Sequence, residues 1–208
     1  MNFQELIIAS GYIGITLIIF AESGLLIGVF FPGDSLLFTA GFLASQGIFN
    51  IAALVFLCFM AAVVGDSVGY TFGRRVGRRF FSKPESLIFN PENIERARLF
   101  YEKHGGKAII LARFIPGIRT LAPILAGICE MNYQTFLLFN LTGGLLWAVG
   151  LTLLGYFLGS VIPNADKYLI PIVGAIILIS VAPSAIQILG SAKKRQQLWQ
   201  WLKKFFVR

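Results

Sequence analysis

The sequence has no lysine or arginine before Arg74, one histidine (His104), two cysteines and only 13% charged residues in 208 positions. Each scarcity excludes a class of function. A lone histidine in a hydrophilic segment gives the apolar segments neither a base nor a metal ligand, and hydrolases and metal enzymes need such groups clustered. The chain therefore reads as a non-enzyme with no metal and no cofactor, and His104 as a solvated surface residue. Cys58 and Cys129 lie in apolar stretches and read as packing residues. With no basic n-region and no small-residue cleavage site at the usual distance, a cleaved signal peptide is not expected. Soluble chains average about 25% charged residues, so the shortfall also excludes an ordinary soluble domain.

Apolar sequence takes the place of charge: 56% of residues are hydrophobic and the mean hydropathy is +0.75. Residues 35–65, 131–165 and 168–192 carry no charge, and about 20 apolar residues suffice to cross a bilayer core. The chain reads as one all-α polytopic membrane domain with no room for a separate soluble module. Its net charge of +8 gathers at Arg74, Arg75, Arg78, Arg79 and Lys83, and again between Lys193 and Arg208. Such clusters set orientation and meet anionic headgroups, which makes membrane lipids the expected partners and not nucleic acid. Both clusters are expected on the cytoplasmic side of a plasma membrane (the inner membrane in a bacterium). That puts the C-terminus in the cytoplasm and the 163–167 turn outside.

Full crossings are expected near 51–72, 133–158 and 168–190. Met1–Ala9 reads as a short interfacial helix. Ser10–Phe31 is apolar apart from a few positions such as Glu22, and it meets Pro32-Gly33-Asp34. The next apolar arm, 35–45, is only about 17 Å long as a helix. Arms 108–115 and 120–129, on either side of Pro116-Gly117, are likewise too short for a core about 30 Å thick and too apolar for water. Re-entrant hairpins with breaks at Pro32-Gly33 and Pro116-Gly117 meet both constraints, because irregular backbone is tolerated at depth where protein or a wet cavity covers it. Between them, 84–107 is hydrophilic, with Asn90 as N-cap and Pro91 opening a surface helix. The tail, 193–208, sets Leu198, Trp201, Leu202 and Phe205 among lysines and reads as an interfacial amphipathic helix.

The chain also repeats. Phe30-Phe31-Pro32-Gly33 recurs as Phe114-Ile115-Pro116-Gly117, and Gly69-Tyr70-x-x-Gly73 recurs as Gly155-Tyr156-x-x-Gly159, in the same order and at nearly the same separation. Each unit, about 10–80 and about 92–160, is then one hairpin plus one crossing helix. An odd number of crossings inverts the second unit relative to the first, as in many transporters. The expected fold is therefore an inverted repeat of a re-entrant helical hairpin plus a transmembrane helix, followed by a C-terminal transmembrane helix.

Five ionisable residues fall in the apolar segments: Glu22, Asp34, Asp66, Arg113 and Arg119. A charge at such depth costs at least about 2.5–3.5 kcal/mol on insertion scales, so it pairs or faces a wet cavity. The acids lie in the first repeat and the arginines in the second, so opposed hairpins bring them together. Arg113 and Arg119 suit a phosphate headgroup, because guanidinium is a permanent, planar, forked donor. Glu22 and Asp34 suit proton coupling, because low dielectric disfavours an ionised carboxylate; Asp66 suits either that role or a local bond. The same five residues equally suit ion pairs that pin two halves of a bundle. Three readings stay open on the residues alone: a lipid transporter, a proton or cation exchanger without a lipid substrate, and a non-transporting scaffold.

Three spaced blocks carry a family resemblance. They are Glu22 with Phe31-Pro32-Gly33-Asp34; Gly65-Asp66-x-x-Gly69-Tyr70-x-x-Gly73-Arg74-x-x-Gly77; and Arg113-Phe114-Ile115-Pro116-Gly117-Ile118-Arg119. The chain resembles the DedA family, also described as SNARE-associated or VTT-domain membrane proteins, over about residues 10–160. Where family members commonly have glutamate after the first Pro-Gly, this chain has Asp34. The resemblance implies two opposed re-entrant hairpins and translocation of phospholipids or polyprenyl phosphates such as undecaprenyl phosphate, linked in some bacterial members to protons or membrane potential. A flippase for a phosphate-bearing lipid is the function it implies, with an oligomer compatible with everything above.

Overall fold

The computed structural model describes residues 3–25, 32–77, 91–115 and 118–162. Pro116, Gly117, the basic residues Arg78, Arg79 and Lys83, the 163–167 turn, the 168–190 span and the 193–208 tail lie outside the described residues.

Among the described residues the protein is helical and contains no strand. Helix α1 is Phe3–Gly24, α2 Gly33–Ser45 and α3 Ile51–Phe72, the last continuing through a π-helical turn at Gly73–Gly77. Helix α4 is Pro91–His104, α5 Lys107–Arg113 and α6 Ile118–Ile128. Helices α7 (Tyr133–Gly144) and α8 (Gly150–Val161) are joined by a second π-helical turn, Leu145–Val149. Two continuous helices, Ile51–Arg75 and Tyr133–Val161, are long and apolar enough to cross a membrane. The short interfacial helix expected over Met1–Ala9 is not a separate element among the described residues: α1 runs unbroken from Phe3 to Gly24.

Capping explains where the long helices begin. Asn50 accepts from Ala53 N at 3.1 Å, and Asn132 accepts from Gln134 N and Thr135 N at 2.9 and 3.3 Å. Each cap satisfies donors that the first turn leaves open. Large apolar side chains such as Phe56 (63% exposed) and Phe157 (61%) point away from the protein, as a lipid-facing surface requires.

The short helices pack across the two motif-sharing halves. Helix α2 lies on α8, and α6 on α3 and its π-helical turn. Both contacts are backbone-close and closely alike. A Cβ on Gly41 of α2 collides with the carbonyl of Thr152, and one on Gly155 with that of Phe38; a Cβ on Gly127 of α6 collides with the carbonyl of Tyr70, and one on Gly73 with that of Ile124. Such approach is how apolar helices gain dispersion contact when lipid offers no hydrophobic gain between them. Gly155→Val is accordingly expected to cost about 3 kcal/mol or more, since overpacking here meets rigid backbone. Thermal unfolding in detergent measures it; an unchanged midpoint contradicts the packing described.

The largest core cluster joins α1, α2, α3 and the second π-helical turn through Ile19, Leu37, Leu54, Cys58 and Trp147. Helix α4 docks by Tyr101, whose hydroxyl donates to Ala122 O at 2.9 Å.

Candidate functional site

Glu22 sits in the last turn of α1, Asp34 in the first turn of α2 and Arg119 in the first turn of α6. Two consecutive helices thus converge with a third segment 85 residues beyond Asp34. Arg119 Nη2 donates to Glu22 Oε1, and Nη1 donates to Asp34 Oδ1 at 2.5 Å. Gly33 makes this possible, since a Cβ there collides with the Glu22 carboxylate. The start of α2 also favours the negative charge on Asp34 through the helix dipole. Exposure differs sharply within the cluster: the side chain of Glu22 is 1% exposed, that of Arg119 12% and that of Asp34 50%. Glu22 is locked in, whereas Asp34 stands at an open edge.

Arg113 and Asp66 form a second, closed centre. Arg113 ends α5 and Asp66 lies within α3; both side chains are almost wholly buried, and they are paired through Arg113 Nη2. The same Nη2 donates to Asn140 Oδ1 at 2.7 Å, and Asn140 Nδ2 donates to Val63 O at 3.0 Å. Gly144 leaves the guanidinium its space, since a Cβ there meets Arg113 Nη1 at 2.9 Å. Arg113 Nη1 has no hydrogen-bond partner among the described residues. Asn140→Ala removes one acceptor from a buried cation and is expected to cost about 1–3 kcal/mol, measured as a fall in the thermal midpoint.

Trp147 connects the two centres. Its Nε1 donates to Asp34 Oδ1 at 2.6 Å, and the guanidinium carbons of Arg119 and Arg113 lie 4.9 and 5.7 Å from its ring centroid. The indole is 3% exposed and sits in the π-helical turn of the long second helix; π-bulges of this kind often mark functional positions. All five expected site residues are therefore present in two adjoining centres, with Pro32 and Gly33 at the entry to α2 and Pro116-Gly117 outside the described residues. Sequence reading did not find Asn140 and Trp147. A signal existed: each is a polar-tipped side chain within the uncharged 131–165 run, and tryptophan usually marks the ends of a membrane span and not its middle.

Charge follows from this inventory. Asp66 and Arg113 balance one to one, whereas Arg119 faces two carboxylates. With all three groups ionised, the cluster has one negative charge in surplus.

The VTT domain family matches residues 31–157, more than half of the chain and nearly all of the described site. The chain belongs to the DedA family of VTT-domain membrane proteins. It is 47% identical to "Protein DedA" of Escherichia coli (strain K12) over 175 residues, covering 83% of this chain and 80% of that protein. It is 44% identical to an uncharacterized membrane protein of Mycobacterium leprae (strain TN) over 169 residues, covering 81% and 75%. Identity to "Inner membrane protein YqjA" of Escherichia coli (strain K12) is 34% over 189 residues, covering 91% and 84%. No solved structure matches the chain. As a DedA-family protein with two helices long and apolar enough to span, it is a membrane protein and its function is exerted in the membrane.

Proposed function

We propose that this DedA-family protein is not an enzyme but a transporter, a flippase for a lipid bearing a phosphate headgroup, such as undecaprenyl phosphate or a phospholipid. Protons are its coupling partner. The observation that carries the reading is the surplus carboxylate: Arg119 is held by both Glu22 and Asp34, and Asp34 is half exposed. A phosphate headgroup entering this cluster adds negative charge where one is already in excess. Protonation of a carboxylate removes that excess, so lipid entry and proton uptake are linked by charge balance. Arg119 meets the headgroup first; Arg113, whose charge Asp66 already balances, adds a second guanidinium beside the Trp147 ring.

The matching contacts of α2 on α8 and α6 on α3 support an inverted repeat of hairpin and crossing helix. In that arrangement the two short helices enter from opposite faces and the cluster lies between them, where discontinuous helices of transporters build their sites. The expected orientation, with the C-terminus cytoplasmic, belongs to this reading.

The test is lipid movement in vesicles reconstituted with the purified protein, using a fluorescent phosphate lipid with and without an imposed pH gradient. Movement that depends on protein and is driven by the gradient is the expected result. A scaffold moves neither lipid nor protons. An exchanger moves protons with no phosphate lipid present, and that outcome rejects the flippase reading.

A further inference from the structure

We propose that Trp147 is a substrate-contacting residue, and that Asp34 Oδ1 occupies, as a built-in placeholder, the position a headgroup phosphate oxygen takes. The proposal deepens the transport reading and rests on it. Its basis is one oxygen atom with two donors aimed at it. Arg119 Nη1 lies 2.5 Å from Asp34 Oδ1, and Trp147 Nε1 lies 2.6 Å from the same atom. Guanidinium and indole N–H groups are donors only, so the pair forms an anion subsite whichever oxygen fills it. The indole is rigidly buried, in the largest core cluster, and its ring lies near both guanidiniums. The donors are fixed and the acceptor is not: Asp34 is the one member of the cluster with half its side chain exposed.

The exchange is a swap of acceptors. A phosphate oxygen replaces Asp34 Oδ1 on Arg119 Nη1 and Trp147 Nε1, while Arg119 Nη2 stays on Glu22. Neither donor of the subsite, Arg119 Nη1 nor Trp147 Nε1, is left open at either end of the exchange, which avoids the penalty of an unmade bond in a dry site. The indole also marks out the ligand's chemistry. It recognises an oxygen acceptor that is anionic enough to displace a carboxylate, and a neutral headgroup lacks that charge.

Opposite shifts from two substitutions test the swap. The sequence has three tryptophans, Trp147, Trp199 and Trp201, so Trp199→Phe with Trp201→Phe leaves Trp147 as the sole reporter. Titrating that protein with short-chain phosphatidic acid should change its emission saturably. The matching diacylglycerol should not, and inorganic phosphate tests whether the headgroup alone suffices. By calorimetry, Trp147→Phe keeps the ring but lacks the N–H, and should weaken phosphatidic acid binding about tenfold or more. Asp34→Asn removes the charged competitor and should tighten it. A residue that merely supports the fold weakens binding in both cases, and thermal midpoints taken alongside identify any unfolded variant. Unchanged affinity in Trp147→Phe, or loss of affinity in Asp34→Asn, overturns the proposal. If Arg119→Lys abolishes binding while Trp147→Phe does not, the placeholder idea fails and the transport reading stands. If the folded parent protein does not bind phosphatidic acid at all, the transport reading fails first.

Discussion

Arg113→Lys is expected to reduce transport to the level of protein-free vesicles while the protein still inserts and folds. Arg113 is held at its Nη2 by both Asp66 and Asn140, and its guanidinium lies 5.7 Å from the Trp147 ring centroid. Lysine keeps the charge and the stem. Its compact ammonium lacks the planar fork and stacks less well on an aromatic ring, so it cannot face Asp66, Asn140 and Trp147 at once. Asp66→Ala is the contrasting variant, because it strands the buried guanidinium without a counter-charge. Removing one partner of a buried ion pair costs about 3–5 kcal/mol, so this variant should be far less stable as well as inactive. Uptake assays in vesicles and thermal unfolding in detergent separate the two outcomes. Arg113→Lys with full transport would show that Arg113 and Asp66 are only a structural clasp.

Much of this arrangement was legible in the chain because depth in an apolar sequence leaves few explanations for a charge. Asp66 in an otherwise uncharged helix needed a partner or a proton, and Arg113 and Arg119 were the cations available in apolar surroundings. The long helices were legible for a related reason: uncharged apolar runs of that length admit little else, whereas the Asn50 and Asn132 caps that start them were not read from the sequence. What stayed hidden depends on packing between remote segments. Trp147 reaches Asp34 across a separation of 113 residues, and no local pattern states that the indole turns inward. The π-helical turns at Gly73–Gly77 and Leu145–Val149 are hidden likewise, because one extra residue per turn leaves no mark in composition. Nor does the sequence divide the five charges into a closed pair and an open cluster. That division depends on which remote helices meet, with Gly33 admitting Glu22 and Gly144 admitting Arg113 at close approach.

Glu22→Gln is expected to abolish the pH dependence of transport and slow turnover by about tenfold, a barrier change of ~1.4 kcal/mol. Glutamine has the shape of glutamate and its amide oxygen still accepts from Arg119 Nη2, so the fold should hold, with Asp34 left as the counter-charge on Nη1. The surplus negative charge is then gone. The charged groups in contact with Glu22 are Arg119 from α6 and, through that guanidinium, Asp34 from α2. With Glu22 neutral, one carboxylate balances one guanidinium, and lipid entry no longer requires a proton to be taken up by the cluster. Asp34→Glu is the control: it preserves the charge at the open edge and adds one methylene, so pH dependence and much of the activity should persist. Rates are read in vesicles at matched protein density across a series of pH values, with the thermal midpoint of each variant. A pH profile in Glu22→Gln that overlays that of the parent removes Glu22 from the coupling mechanism. The same profile lost only in Asp34→Glu assigns the coupling to the edge carboxylate alone, because geometry there, and not the count of charges, would then be what the proton responds to.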